Sequence, residues 1–146
     1  MPRWVVEGYT EFARRMPAEC ALRLVEIPPG RRGKGANIPR ILQVEGERML
    51  RAIPKHCGVI ALDVHGSSWS TEQLAARLAG WLAGGRDLAL LVGGPEGLAQ
   101  SCLERAEGRW SLSDLTMPHP LVRVVLAEQL YRAWSLLHNH PYHRAG

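Results

Sequence analysis

Apolar residues along the chain recur at two different spacings, which predict two kinds of element. Helical spacing occurs in five segments: about Arg3–Arg15, from Asn37 to Ile53, from Ser70 to about Leu82, Leu98–Ala106, and from Leu121 to about Leu137. Short apolar or alternating runs predict strands at Ala21–Ile27, Val59–Asp63, Leu88–Val92 and Trp110–Leu112. Because strands and helices alternate along the whole length, the pattern favours an α/β sandwich, with a parallel sheet and helices on both its faces.

Capping signals support the limits of two of these helices. Asn37 stands where a side-chain cap is needed, and the first turn that follows it accepts Pro39. Ser70 and Gln73 have the spacing of a capping box, and Gly84-Gly85 follows the last apolar residue of the same helix. These local signals predict where the second and third helices begin and where the third one ends.

The stretch from Leu88 to Pro120 carries the strongest candidate for a binding site. Its apolar run ends abruptly in Gly93-Gly94-Pro95-Glu96-Gly97, so the backbone beyond the strand can approach a ligand closely. Ligands of α/β sheets bind at the carboxyl ends of strands, and Asp63 stands at the end of another predicted strand. A plain tight turn explains the glycines as well. Their spacing matches neither a P-loop nor a dinucleotide-binding fingerprint.

Length and composition indicate one globular domain over residues 1–146. Hydrophobic residues make up 46% of the chain and charged residues 22%, which is typical of a folded protein. No apolar run reaches membrane-spanning length and the first residues lack the apolar core of a signal peptide, so we expect a cytoplasmic protein without membrane contact. Eighteen Lys and Arg against fourteen Asp and Glu favour a polyanionic partner without requiring one.

The cysteines and histidines do not form a recognisable metal site. The three cysteines are odd in number and contain no Cys-x-x-Cys pair, which argues against a disulfide framework and a thiolate zinc site: Cys20, Cys57 and Cys102. Three histidines near the end of the chain lack an accompanying carboxylate or thiol, and Pro141 interrupts any helical register between them: His138, His140 and His143. A metal-dependent hydrolase built on these histidines is therefore the weakest functional alternative.

Two segments carry cations or rings suited to RNA. The loop Arg31–Ala36 combines three cations with two glycines and can lie along phosphates, although an ordinary solvated loop fits it equally well. The tail Asn139–Arg144 contains two imidazoles, a phenol and a guanidinium within five consecutive positions. Such groups suit contact with an unstacked RNA base, with a frayed terminus as the alternative.

Several segments, in one order and spread over essentially the whole chain, resemble a known family. They are Pro28–Lys34, Gly93–Gly97, Ser111–Arg123, Leu130–Ser135 and Asn139–Arg144. These blocks are similar to the RlmH family, small SPOUT-class methyltransferases that act on N3 of a pseudouridine in 23S rRNA of the assembled ribosome. The resemblance implies a C-terminal trefoil knot, a homodimer, and S-adenosylmethionine as the methyl donor, with no metal required.

The resemblance and the chemistry it requires point to residues in three roles. The residues expected to bind the methyl donor lie at two predicted strand ends and in the loop before the last helix: Leu62, Asp63, Gly93, Gly94, Ser113, Asp114, Leu115, Thr116, Met117 and Pro118. Three histidines have titration ranges that suit the base that removes the N3 proton: His119, His140 and His143. His119 is expected in a loop that Pro118 and Pro120 rigidify. RNA contact falls on basic and aromatic positions: Arg32, Lys34, Arg123, Tyr142 and Arg144.

The chain also departs from the family pattern at its start. Members of the family begin with a further segment that resembles a first β-strand, ahead of the position of Met1-Pro2-Arg3-Trp4. Either Met1 is an internal methionine of a longer protein, or a sheet strand is missing, which would leave sheet edges unpaired and weaken the packing. A non-catalytic ribosome- or RNA-binding module that keeps the knot fold is therefore the alternative to an active enzyme.

Overall fold

The structure, a computed structural model, describes residues 1–145 and has both helices and strands. In chain order the helices are α1 (Arg3–Ala13), α2 (Ile38–Ala52), α3 (Thr71–Gly84), α4 (Gln100–Arg105) and α5 (His119–Leu137). The strands are β1 (Gly58–Ser68), β2 (Leu88–Leu91) and β3 (Gly108–Ser111), and short 3-10 helices cover Ala18–Cys20 and Pro141–Ala145. The predicted α/β class with a parallel sheet is confirmed.

The sheet has the strand order β2-β1-β3, so β1 is its central strand. Gly58–Ala61 pairs in parallel with Leu88–Leu91, residue for residue, and this half of β1 is buried. The other half of β1 is more exposed and passes close to β3, since a Cβ on Gly66 would lie 2.6 Å from the carbonyl carbon of Arg109. The strand is therefore longer than the predicted Val59–Asp63. The prediction stopped early because the second half of the strand is more polar and lacks the apolar run from which a buried strand is recognised.

The chain forms two compact units, which we call the sheet unit and the helical unit. The sheet unit consists of Leu24–Ser67 and Asp87–Leu115, and the helical unit consists of Met1–Arg23, Ser68–Arg86 and the chain from Thr116. That both belong to one domain stays a prediction. In the sheet unit, α2 packs against α4 beside a buried cluster of three side chains: Val59, Leu91 and Cys102. In the helical unit, α5 packs against α1 and α3 and buries most of one face: Leu126, Ala127, Leu130, Tyr131 and Ala133.

The capping signals act as the sequence indicates. The Ser70 hydroxyl accepts a hydrogen bond from the Gln73 amide at 3.1 Å, and the Gln73 side chain accepts one from the Ser70 amide at 2.8 Å. Gly85 ends α3 in the left-handed conformation, with a φ of 72°. Asn37 caps α2 by accepting a hydrogen bond from the Arg40 amide at 3.2 Å. The predicted limits of these helices are confirmed.

Two other expectations are wrong. Ala21–Ile27 is not a strand, and Leu24 and Val25 are 44% and 51% exposed, because alternation alone supplies no neighbouring strand to pair with. The last helix begins earlier than predicted, so His119 is the first residue of α5 rather than part of a rigid loop. Pro120 is accepted there because the first turn of a helix needs no amide donor.

Candidate functional site

Two groups of candidate residues lie next to the last paired residues of β1 and β2. The parallel pairing ends at Ala61 and Leu91, where β2 stops; the glycine segment follows β2, and β1 continues through Leu62 and Asp63 to Ser68. Leu62 and Asp63 are both half-buried. The sheet unit therefore has an edge of the kind at which α/β proteins bind ligands.

Asp63 is held in place at this edge by two contacts. Its Oδ1 accepts a hydrogen bond from the His65 amide at 3.1 Å, and its Oδ2 lies 3.9 Å from Nη1 of Arg109. The carboxylate is only 15% exposed. It is therefore a fixed hydrogen-bond acceptor in the middle of the central strand, just beyond its pairing with β2.

The glycine segment after β2 closes into a tight β-turn. The Gly97 amide donates to the Gly94 carbonyl at 3.0 Å, which places Pro95 and Glu96 at the two corners, and Gly97 has a φ of 84°. A Cβ on Gly93 would lie 2.5 Å from the Gly97 carbonyl carbon and 2.8 Å from the Leu98 amide nitrogen. The first glycine is thus required by the turn itself.

Gly94 has a different environment from Gly93. The nearest atom to a Cβ at this position would be Nη2 of Arg32, at 3.8 Å, which is ordinary van der Waals contact. The space above Gly94 is therefore open, and a ligand can approach its backbone there. Beneath the turn, in contrast, a cavity of about 20 Å³ between α2 and α4 has room for little more than one water molecule.

The loop after β3 is fixed by its own serines. The buried Ser111 hydroxyl donates to the Ser113 carbonyl at 3.0 Å, and the Ser113 hydroxyl accepts from the Leu115 amide at 2.9 Å. Leu115 is 75% exposed and Asp114 is also exposed. The loop therefore presents an uncovered apolar side chain on a rigid support.

The predicted methyl-donor residues divide between the two units. Seven of them lie in the sheet unit, and the other three precede α5 in the helical unit: Thr116, Met117 and Pro118. Met117 is half-buried, whereas Thr116 and Pro118 are exposed. Leu62 and Asp63 follow the last residue of β1 that pairs with β2, and the glycine turn follows β2 itself.

Arg32 is bound by two carboxylates within the sheet unit. Its Nη1 and Nη2 lie 2.7 and 3.1 Å from the two oxygens of Glu45 on α2, and its Nε and Nη2 contact Glu96 at the corner of the glycine turn. Glu45 also accepts a hydrogen bond from the Gly30 amide at 2.7 Å. Hydrogen bonding to Arg32 lowers the pKa of Glu45 and of Glu96, so both carboxylates stay ionised at neutral pH.

Tyr142 is the centre of a hydrogen-bonded cluster in the helical unit. Its hydroxyl donates to Oε2 of Glu128 at 2.7 Å, and the same oxygen accepts from Nη2 of Arg132 at 2.8 Å. Burial, followed by the hydrogen bond to Glu128, raises the pKa of Tyr142 to about 12. Its ring lies 4.7 Å from that of Tyr131, and the guanidinium of Arg132 lies over it at 5.0 Å. The tail is therefore anchored to α5.

Hydrogen bonds distinguish the two tail histidines chemically. The Nδ1 of His140 accepts a hydrogen bond from the Tyr142 amide at 3.2 Å, so the proton of its neutral ring is on Nε2. The Nδ1 of His143 contacts the His140 carbonyl, which can only accept, so Nδ1 carries the proton and Nε2 keeps its lone pair. Only the second of these rings offers Nε2 as a proton acceptor.

The remaining predicted RNA contacts lie in both units. Lys34 is exposed at a corner of a turn in which the Ala36 amide donates to the Gly33 carbonyl at 3.0 Å. Arg144 is exposed on the tail, and Arg123 is half-buried in the first half of α5. Lys34 and Arg32 belong to the sheet unit, whereas Arg123, Tyr142 and Arg144 belong to the helical unit.

Sequence reasoning missed the carboxylates that hold these groups. The spacing of Glu128 and Arg132, four residues apart on α5, is a detectable signal for an ion pair on one helix face. Glu45 and Glu96 are 13 and 64 positions from Arg32 along the chain, and no local pattern connects either of them to it. No group of three His, Cys, Asp or Glu side chains within residues 1–145 is arranged to hold a metal ion. None of the helices described above is long and apolar enough to cross a membrane.

Comparison with known proteins identifies the class to which this fold and this site belong. Residues 1–143 match the family described as predicted SPOUT methyltransferases. The chain belongs to this family and is a methyltransferase.

Individual relatives cover nearly the whole chain. It is 63% identical over 144 residues to ribosomal RNA large subunit methyltransferase H of Thioalkalivibrio sulfidiphilus, covering 99% of this chain and 92% of the relative. The protein of the same name from Methylococcus capsulatus is 61% identical over 144 residues, and that from Alkalilimnicola ehrlichii is 64% identical over 145 residues. The match covers 99% of this chain and 93% of the relative in both cases. The family resemblance noted in the sequence is confirmed.

Proposed function

We propose that this methyltransferase transfers a methyl group from S-adenosylmethionine to N3 of a pseudouridine in 23S rRNA of the assembled ribosome. One observation carries the proposal: relatives named as large-subunit rRNA methyltransferases are 61% to 64% identical over 99% of the chain. The matched region, 99% of the chain, includes the glycine turn and the loop after β3. A non-catalytic RNA-binding module is not favoured by it.

The sheet unit offers features that suit S-adenosylmethionine. The open space at Gly94 and the exposed apolar side chain of Leu115 suit an adenine ring, which needs an apolar slot with main-chain hydrogen-bond partners. The fixed carboxylate of Asp63 suits a hydroxyl donor such as a ribose. We assign the rest of the donor contacts to one residue of β1, one glycine before the turn and the loop before α5: Leu62, Gly93, Ser113, Asp114, Thr116, Met117 and Pro118.

When bound, S-adenosylmethionine supplies a methyl group that its positive sulfur has already activated, so the protein needs no metal for this step. The residues of this chain have two tasks, which are to align N3 with the methyl carbon and to accept the N3 proton. The bound donor would supply the methyl carbon to the electron pair left on N3 and would keep the electron pair of its broken C–S bond, so the N3 proton is all that the protein has to accept.

The tail supplies the proton acceptor in our proposal. Among the candidate bases, His143 has an Nε2 lone pair that its own hydrogen bond leaves available, whereas the Nδ1 of His140 is engaged by the Tyr142 amide. We therefore place His143 ahead of His140 as the base. His119, at the start of α5, is retained as the third candidate.

We assign RNA contact to exposed cations of both units and to the tail. Lys34 and Arg144 are exposed and suit phosphate contact, while Arg123 supports the same role from α5. The Tyr142 hydroxyl donates a hydrogen bond to Glu128, so the contribution of Tyr142 is to hold the tail in position beside the RNA base. Because rRNA is the substrate, the enzyme works in the cytoplasm.

A homodimer is the second part of the proposal. The family resemblance implies a homodimer, and the apolar side chains of Trp4 and Val6 on α1, 55% and 52% exposed, suit burial against a second copy. Sedimentation of the purified full-length chain should give the mass of a dimer. A monomer at micromolar concentration would contradict this part and leave the proposed reaction untouched.

Labelled-methyl transfer tests the reaction itself. Ribosomes from cells that lack this methylation are incubated with the enzyme and labelled S-adenosylmethionine, and the modified nucleoside is identified by mass spectrometry. We expect one methyl group per ribosome, on a pseudouridine of 23S rRNA. Calorimetry with S-adenosylmethionine alone distinguishes the alternatives, because RNA binding without donor binding or transfer would identify a non-catalytic module.

A further inference from the structure

The basic loop between Pro29 and Asn37 contains cations in two different environments. Arg31 and Lys34 are exposed, whereas Arg32 has a side chain only 26% exposed and lies between two glutamates. Composition suggests three equivalent phosphate contacts in this loop. The structure separates one of them from the other two.

We infer that Arg32 is a positioning residue for the glycine turn and does not contact RNA. It joins the turn, through Glu96, to the first half of α2, through Glu45. This inference rests on the proposed function, because it matters for catalysis only if the turn at Gly93 and Gly94 holds the methyl donor.

The contacts leave Arg32 little capacity for another partner. Its Nε lies 3.1 Å from Oε2 of Glu96, its Nη1 lies 2.7 Å from Oε2 of Glu45, and its Nη2 contacts both carboxylates. Nη1 also lies 3.3 Å from the Gly30 carbonyl. All three nitrogens are therefore used within the protein, and a phosphate would have to displace a carboxylate.

The geometry requires a guanidinium. One planar group with five donors can serve carboxylates on two of its edges at once, which the compact ammonium of lysine cannot do with the same fixed geometry. Glu96 stands at the corner of the turn closed by the hydrogen bond from Gly97 to Gly94. Arg32 therefore restrains that corner, and with it the backbone over which the donor is proposed to lie.

Lys34 provides a matched comparison within the same loop. It occupies the first corner of the turn from Gly33 to Ala36, and Gly35 follows at the second corner with a φ of 79°, as a type II turn requires. Lys34 is exposed, whereas the hydrogen bonds described above join Glu45 and Glu96 to Arg32. One residue of the pair thus acts on the protein, and the other is available to the RNA.

Two variants of the full-length protein test the inference: Arg32→Lys, which keeps the charge, and Lys34→Gln, which removes it. By calorimetry we expect Arg32→Lys to bind S-adenosylmethionine about tenfold more weakly or worse, because the turn is no longer restrained. Its RNA binding should keep the salt dependence of the wild type. For Lys34→Gln we expect unchanged donor affinity and a salt dependence of RNA binding reduced by about one phosphate contact.

Hydrogen exchange gives a second measurement that needs no donor. The Gly97 amide is bonded to the Gly94 carbonyl, so loss of the restraint at Glu96 should speed its exchange in Arg32→Lys and in Glu96→Gln, but not in Lys34→Gln. Glu96→Gln keeps the test decisive if Arg32→Lys does not fold. Thermal unfolding of each variant shows whether the whole protein is still folded.

The possible outcomes separate this inference from the proposed function. If the wild type binds no S-adenosylmethionine, the proposed function fails, and exchange of the Gly97 amide alone decides whether Arg32 restrains the turn: equal exchange in the wild type, Arg32→Lys and Glu96→Gln would overturn the inference. If the wild type binds the donor and Arg32→Lys binds it equally well, only the inference is overturned. A reduced salt dependence of RNA binding in Arg32→Lys would also overturn it, since Arg32 would then be a phosphate contact.

Discussion

The substitution Gly93→Ala tests the geometry of the glycine turn directly. The added methyl would lie 2.5 Å from the carbonyl carbon, 2.7 Å from the carbonyl oxygen of Gly97 and 2.8 Å from the Leu98 amide nitrogen. All three contacts are with backbone, so no side-chain rotation can relieve them. A tolerable carbon–carbon contact needs about 3.4 Å, and the backbone must therefore open by 3.4 − 2.5 = 0.9 Å.

An opening of this size has two measurable consequences. Forcing an extra methyl group into a closed site costs about 1–3 kcal/mol of unfolding free energy. A displacement of close to 1 Å in a binding loop also lowers the efficiency of a site by up to about 100-fold. For Gly93→Ala we therefore expect a stability loss of about 1–3 kcal/mol and donor affinity reduced about 10- to 100-fold.

Gly94→Ala is the matched control, because its methyl would meet only Nη2 of Arg32, at 3.8 Å. Its free energy of unfolding should lie within about 0.5 kcal/mol of that of the wild type. Urea unfolding gives the stability of each variant, and calorimetry with S-adenosylmethionine gives the affinity. A larger side chain in Gly94→Val should abolish donor binding in a folded protein. If Gly93→Ala is as stable and binds as tightly as the wild type, the closed turn described above is wrong.

Three further predictions concern the helical unit. Tyr142→Phe removes the hydrogen bond to Glu128, which is worth about 1.5–3 kcal/mol, and should slow methyl transfer without weakening donor binding; unchanged transfer would remove the tail from the active site. Because the pKa of Tyr142 is raised to about 12 from about 10 in the unfolded chain, its contribution to stability is complete below about pH 10 and is lost between about pH 10 and pH 12, which tyrosinate absorbance and tail proteolysis can follow. Ser70→Ala should lower the free energy of unfolding by about 1 kcal/mol, because it removes a helix cap. Gly80→Ala has open space around the added methyl and should stabilise α3 by about 0.5–1 kcal/mol. The midpoints of thermal unfolding of these two variants must therefore move in opposite directions.

Local chemistry explains which parts of the fold the sequence could predict. Ser70, Gln73 and Gly85 act on backbone groups within one turn of themselves, so their pattern identifies both ends of α3. The apolar run at Leu88 predicts β2, a strand with three half-buried residues and one buried residue, because a strand covered on both faces is apolar throughout. In each case the signal and its cause lie in the same short segment.

Other features depend on partners far away in sequence. Alternation at Ala21–Ile27 resembles a strand, but a strand exists only where another one pairs with it. The more polar half of β1 shows the converse, because proximity to β3 makes a strand of residues that look like a loop. The candidate site follows the same rule: Gly93 is predictable as a turn glycine, while its contact with Leu98 and the bonds of Arg32 are not.

The balance of charge illustrates why a count of cations overstates the surface that faces a polyanion. The sequence has 18 Lys and Arg against 14 Asp and Glu, yet several arginines are bound to glutamates within their own unit: Arg3, Arg14, Arg15, Arg32, Arg51 and Arg132. A guanidinium already neutralised by a carboxylate releases few counterions when RNA binds. The salt dependence of RNA binding should therefore follow exposed cations such as Lys34 and Arg144, and neutralising Arg32 or Arg132 should change donor binding or tail placement instead.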